Sequence, residues 1–124
     1  MDTTTAGIAL AATLALAAPA AAQMLNYPDI LRVEGAQAAR FRLLSGDRPG
    51  KYYPPAARRK RIDGHVVVDL LLNDQGQVME AQAVSVIPPG MGFRLAALDL
   101  AKTYQFANPL KRMVLMTILV EFLP

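Results

Sequence analysis

At 124 residues, with 13 Lys and Arg against 10 Asp and Glu and a net charge of +3, the chain is long enough for one small domain. It has no Cys, which excludes thiol nucleophiles, disulfides and thiolate metal sites. An apolar core alone must therefore hold the fold, supplying a net stability of roughly 5–10 kcal/mol at this size.

From the N-terminus, Ile8 to Ala22 is a nearly unbroken Ala/Leu run that closes on Ala20-Ala21-Ala22-Gln23. Small residues at the minus-three and minus-one positions predict a secretory signal peptide, residues 1–22, cleaved after Ala22. Retention as an inner-membrane anchor is the alternative, weakened because Ala contributes little transfer energy to a span. Cleavage removes Asp2 and no basic residue, leaving 13 basic against 9 acidic residues, a net +4. Residues 23–51 read as an N-terminal arm and linker. Tyr27-Pro28 and Arg32-Val33-Glu34-Gly35 echo a later Tyr53-Pro54 and Arg61-Ile62-Asp63-Gly64, Ala36 to Leu44 predicts a short strand or packed arm, and Ser45 to Gly50 has turn chemistry.

Pro is tolerated in a first helical turn, so Pro55 to Lys60 predicts a short helix that the chain leaves at Gly64. Arg58, Arg59, Lys60 and Arg61 form a basic run on it. The run reads as a solvated face or as a contact for anionic lipid or cell-wall polymer; nucleic acid does not suit an exported protein. His65 to Leu72 predicts a strand with Val66, Val68, Leu70 and Leu72 on one face and His65, Val67, Asp69 and Leu71 on the other. Asn73 to Gly76 is a hairpin turn, and Val78 to Ile87 is the returning strand. Pro88-Pro89-Gly90 stops it. Phe93, Ala96, Ala97, Leu100, Ala101 and Tyr104 then fall on one helical stripe. Gln105 to Pro109 breaks the helix, and Met113 to Phe122 is a last strand with Val114, Met116, Ile118, Val120 and Phe122 on one face.

Taken in order, Tyr53-Pro54, Arg61-Ile62-Asp63-Gly64, Asp74-Gln75-Gly76, Pro88-Pro89-Gly90-Met91-Gly92-Phe93 and Ala96-Ala97-Leu98 resemble the C-terminal domain of TonB/TolA-type energy transducers. The resemblance spans residues 52–124. It implies an α+β fold: a three-stranded antiparallel sheet, a short N-terminal helix and one crossover helix packed on one face. The last strand then lies beside His65 to Leu72 and forms a sheet edge. Leu110 to Arg112 is shorter than the family's usual connection and has no Gly.

The resemblance also implies a periplasmic interaction module that captures an extended segment of an envelope protein, such as an outer-membrane receptor, by adding it to the sheet edge. The residues expected to contact it are Met113, Leu115, Thr117, Leu119 and Glu121, and the same edge offers a route to homodimers. A second reading takes Arg58, Arg59, Lys60 and Arg61 as an anionic contact without energy transduction. Nothing predicts an enzyme, a cofactor or a metal. The single His65 has no placed nucleophile, since Ser45 lies in a linker and Ser85 in a strand. Gly90-Met91-Gly92 reads as a helix entry and lacks the remaining marks of a phosphate-binding turn.

Overall fold

A computed structural model describes residues 29–124. The expected signal peptide and its cleavage after Ala22 lie outside the described residues. The elements in chain order are β1 (Leu31–Arg32), α1 (Gly35–Ala39), β2 (Leu43–Ser45), a 3-10 turn (Pro49–Tyr52), α2 (Pro55–Arg59), β3 (Gly64–Leu72), β4 (Val78–Ile87), α3 (Phe93–Ala101), β5 (Gln105–Phe106) and β6 (Val114–Phe122).

The β3–β4 hairpin turns because Asn73 organises it. Its side-chain Oδ1 accepts from the N–H groups of Gln75 and Gln77, both at 2.9 Å, and its own N–H donates to the Gln77 carbonyl. Gly76 completes the turn at φ +83°, a conformation that costs little only for Gly. β6 returns beside β3, antiparallel, with Leu70 opposite Met116 and Val66 opposite Val120. This is the strand neighbour that the family resemblance implies.

The expected three-stranded antiparallel sheet needs correction. β1 pairs parallel with β6, so the sheet has four strands in the order β1-β6-β3-β4 and is mixed; β2 and β5 form a second, two-stranded sheet. Two core plugs in the arm account for the difference. Val33 and Phe41 are both buried in the main core, and α1, with no buried residue of its own, is the spacer between them. Sequence periodicity is silent on such a segment, because single apolar anchors separated by a helical turn and a half show no repeat.

Packing on the inner sheet face follows the alternation of the strands. Val66, Val68, Leu70 and Leu72 of β3 and Val114, Met116, Val120 and Phe122 of β6 meet Phe93, Ala96, Ala97, Leu100 and Ala101 of α3. Ala at three of those helix positions lets the axis lie close to the sheet, where a larger side chain would hold it off. Tyr53, Phe93 and Phe122 close one end of this layer, with ring centroids 5.4–5.9 Å apart. Such aromatic contacts add to the area they bury. The helix stops at Ala101, earlier than its stripe suggests, and Tyr104 instead stacks edge-on against Phe106 at 5.8 Å.

The short connection before β6 has its own device. Lys111 takes the left-handed conformation, φ +56°, that a Gly would ordinarily fill. The buried Asn108 holds it there: its Nδ2 donates to the Asn73 and Arg112 carbonyls, and its Oδ1 accepts from Leu110 and Lys111 N–H. Every polar atom of this side chain is therefore satisfied, and the loop is tied to the β3–β4 turn.

Candidate interaction edge

The outer margin of β6 divides into two parts. At its start, the Val33 N–H donates to the Leu115 carbonyl at 2.8 Å, and Leu31 and Arg32 lie beside Val114 and Leu115. Backbone groups alternate direction along a strand. Since Leu115 faces β1, the N–H and C=O groups of Thr117, Leu119 and Glu121 also point away from β3, while those of Met116, Ile118 and Val120 point toward it. No described strand pairs with β6 beyond Leu115 on that side.

The side chains of this edge stand on the sheet face opposite α3. Leu115 is buried against Leu71, under Ile30. The Thr117 hydroxyl donates to Asp69 Oδ1 at 2.6 Å and accepts from Arg32 Nη1 at 3.0 Å. The Arg32 guanidinium faces both Asp69 oxygens, at 3.4 and 3.3 Å. Leu119 is 54% exposed, and Glu121 pairs with His65 Nδ1 at 3.2 Å. Met113 precedes the strand and is exposed. The five expected contact residues thus fall into two groups. Thr117, Leu119 and Glu121 lie along the unpaired part, whereas Leu115 is already paired with the arm and Met113 stands at its end.

Arg32 and Asp69 are the residues that sequence reasoning missed in this role. A signal existed: Asp69 is a carboxylate in the middle of the apolar run Val66 to Leu72. A charge in that position needs a cationic or hydrogen-bonding partner, and Arg32 in the arm supplies one.

The basic run divides as well. Arg58 donates to the Gly50 carbonyl, and its guanidinium lies over the Tyr53 ring, 5.1 Å from the centroid, so it braces the Tyr53 end of the core. Arg59, Lys60 and Arg61 are exposed. We expect Arg59→Ala to change unfolding stability by no more than about 0.5 kcal/mol in a urea titration, as surface changes usually do. Near the linker, the Asp47 carboxyl is held below its ordinary value, first by the Tyr52 hydroxyl and then by the Lys51 ammonium that donate to it.

Among the described residues His65 pairs with the Glu121 carboxylate, Ser45 is exposed on β2 and Ser85 sits on β4. Among the described residues no group of three or more His, Asp or Glu side chains converges as a metal site, and no helix is long and apolar enough to cross a membrane.

A family model of the C-terminal region of the Gram-negative bacterial TonB protein matches residues 49–123. The chain belongs to the TonB C-terminal family. The fold agrees with this. The solution NMR structure of the Pseudomonas aeruginosa TonB C-terminal domain superposes with a TM-score of 0.54 at 18% identity, covering 76% of this chain and 93% of that one. No curated protein matches the chain. TonB C-terminal domains are periplasmic interaction domains of energy transducers, not enzymes, and they engage envelope proteins such as outer-membrane receptors. In this chain β1, α1 and β2 precede the residues that the family model matches.

Proposed function

We propose that this TonB-type domain works in the periplasm, exported by residues 1–22, and binds an extended segment of an envelope partner along the free edge of β6. The observation that carries this reading is the row of outward backbone groups at Thr117, Leu119 and Glu121, flanked by an exposed Leu119. The chain's own β1 supports it, because a strand already adds to the same edge. Main-chain hydrogen bonds would supply affinity, and side chains at alternate positions would supply selectivity. Residues 23–51 act as the arm and residues 52–124 as the binding domain, with Met113 and Leu115 bounding the site at the arm end. Export is checked by N-terminal mass analysis of the secreted form: we expect it to start at Gln23, and recovery of intact Met1 from the inner membrane would replace the signal peptide with an anchor.

Proline substitutions test the edge itself. Leu119→Pro removes a donor that points away from β3, a place where an edge strand tolerates Pro. This variant should keep its circular dichroism spectrum and lose binding to an extended peptide from an outer-membrane receptor. Ile118→Pro removes a donor aimed at β3 and should lose the fold instead. Binding that survives in folded Leu119→Pro but disappears on charge reversal of Arg59, Lys60 and Arg61 would transfer the function to the basic surface. That outcome would also show a steep salt dependence once screening reaches about 10 Å.

A further inference from the structure

The arm is held on β6 by more than its two paired residues. Val33 gives its N–H to Leu115 and its side chain to the main core. Ile30 lies on Leu71 and Leu115. Arg32 reaches across β6 to Asp69, whose side chain is 4% exposed while that of Arg32 is 31% exposed. Thr117, the first residue of the unpaired edge, is hydrogen-bonded to both.

Charge decides how this assembly behaves. Arg32 is the one cation in an ion pair with Asp69 among the described residues. An incoming strand that lifted the arm away would strip the carboxylate of its counter-ion, leaving it the Thr117 hydroxyl, and would uncover Leu71 and Leu115, losses that an exposed pair does not incur when it separates. The same strand would also have to extract Val33 from the core. An incoming strand that stops at Thr117 meets neither obstacle.

Resting on the reading of β6 as the partner edge, we infer that β1 is a fixed end-stop. The Arg32–Asp69–Thr117 cluster confines an added strand to Thr117–Phe122. The edge therefore selects a short extended segment of about six residues, some 20 Å long at the strand rise, with an aliphatic side chain placed over Leu119. A longer segment gains nothing from its extra length, because its additional backbone groups meet an edge already paired.

Length dependence tests the inference. Random twelve-residue segments displayed on phage are selected against the full chain, and the recovered peptides are synthesised and trimmed from both ends. Peptides bound to the wild type should keep their affinity within about twofold down to roughly six residues, the span of the open edge. Amide exchange should slow at Thr117, Leu119 and Glu121 and stay unchanged at Val33. Selection against Arg32→Gln should yield peptides that lose about tenfold or more when cut below roughly nine residues, since the released edge is longer. If that variant does not fold, Arg32→Gln combined with Asp69→Asn removes both charges and serves in its place. Arg32→Lys keeps the cation and should behave as the wild type does. Wild-type binders that require roughly nine residues or more, together with faster exchange at Val33, would overturn the inference and make the arm a displaceable placeholder. Binders that leave exchange along β6 untouched would overturn the edge reading itself, and the inference with it.

Discussion

Phe93→Ala should destabilise the domain by about 3–5 kcal/mol, the usual cost of removing a fully buried aromatic ring. The ring is inaccessible to solvent and touches Tyr53 and Phe122. It also fills the space that Gly64 leaves open at the start of β3, where an added Cβ would come within 2.4 Å of the ring. Its neighbours cannot simply collapse into the void, since Tyr53 is tied through its hydroxyl to the Ile62 carbonyl and Phe122 is paired across the sheet to Gly64. Against a total of roughly 5–15 kcal/mol for a small domain, the loss is a large fraction. Urea unfolding followed by circular dichroism should show a sharply lowered midpoint. A shift equivalent to less than about 1 kcal/mol, in the range of ordinary surface changes, would mean that the ring is not part of the core.

Gly76→Val should be comparably damaging by a different route. At φ +83° any β-branched residue is strained, at a cost of order 1–3 kcal/mol. The new Cβ would also stand 1.9 Å from the Phe106 carbonyl oxygen, a backbone atom that cannot swing aside. Because Phe106 N–H donates to the Gly76 carbonyl, relief of the clash would break the contact between the hairpin turn and β5. We expect lost or strongly reduced soluble yield, and faster amide exchange at Phe106 in whatever folds. Unchanged exchange there would show that the turn relaxes without disturbing β5.

The parts of this fold that could be read in advance are those where local pattern and tertiary role coincide. Val66, Val68, Leu70 and Leu72 alternate because one sheet face is dry, and Phe93 to Ala101 repeats because one helix stripe packs on it; both appear as expected. Asp74-Gln75-Gly76 announces its turn through the one residue that accepts a positive φ. The arm was illegible for the opposite reason. Leu31 and Arg32 form a strand only because Leu115 offers an edge more than eighty positions away, and nothing local in Leu31-Arg32-Val33 demands it. The outer margin of β6 was legible only in part, since nothing in its own sequence shows that the arm pairs with it at Leu115 and leaves off before Thr117.

The Arg32–Thr117 contact spans 85 positions and joins one of the first described segments to the last strand. Closing so long a loop costs chain entropy that nearer pairings avoid, so contacts of this reach tend to form late. The β3–β4 hairpin and α3 can assemble from neighbouring residues, but the arm has nothing to dock on until β6 has joined them. Chain order makes this more severe, because the arm comes before every other described element and its docking strand β6 comes last of them. Ile30 and Val33 must therefore wait, solvent-exposed, for almost the whole of the domain to emerge. Full pairing of the β6 edge at Leu115 thus reports that β3, β6 and the arm have all assembled, and a partner reading the length of that edge would distinguish an assembled domain from an incomplete one.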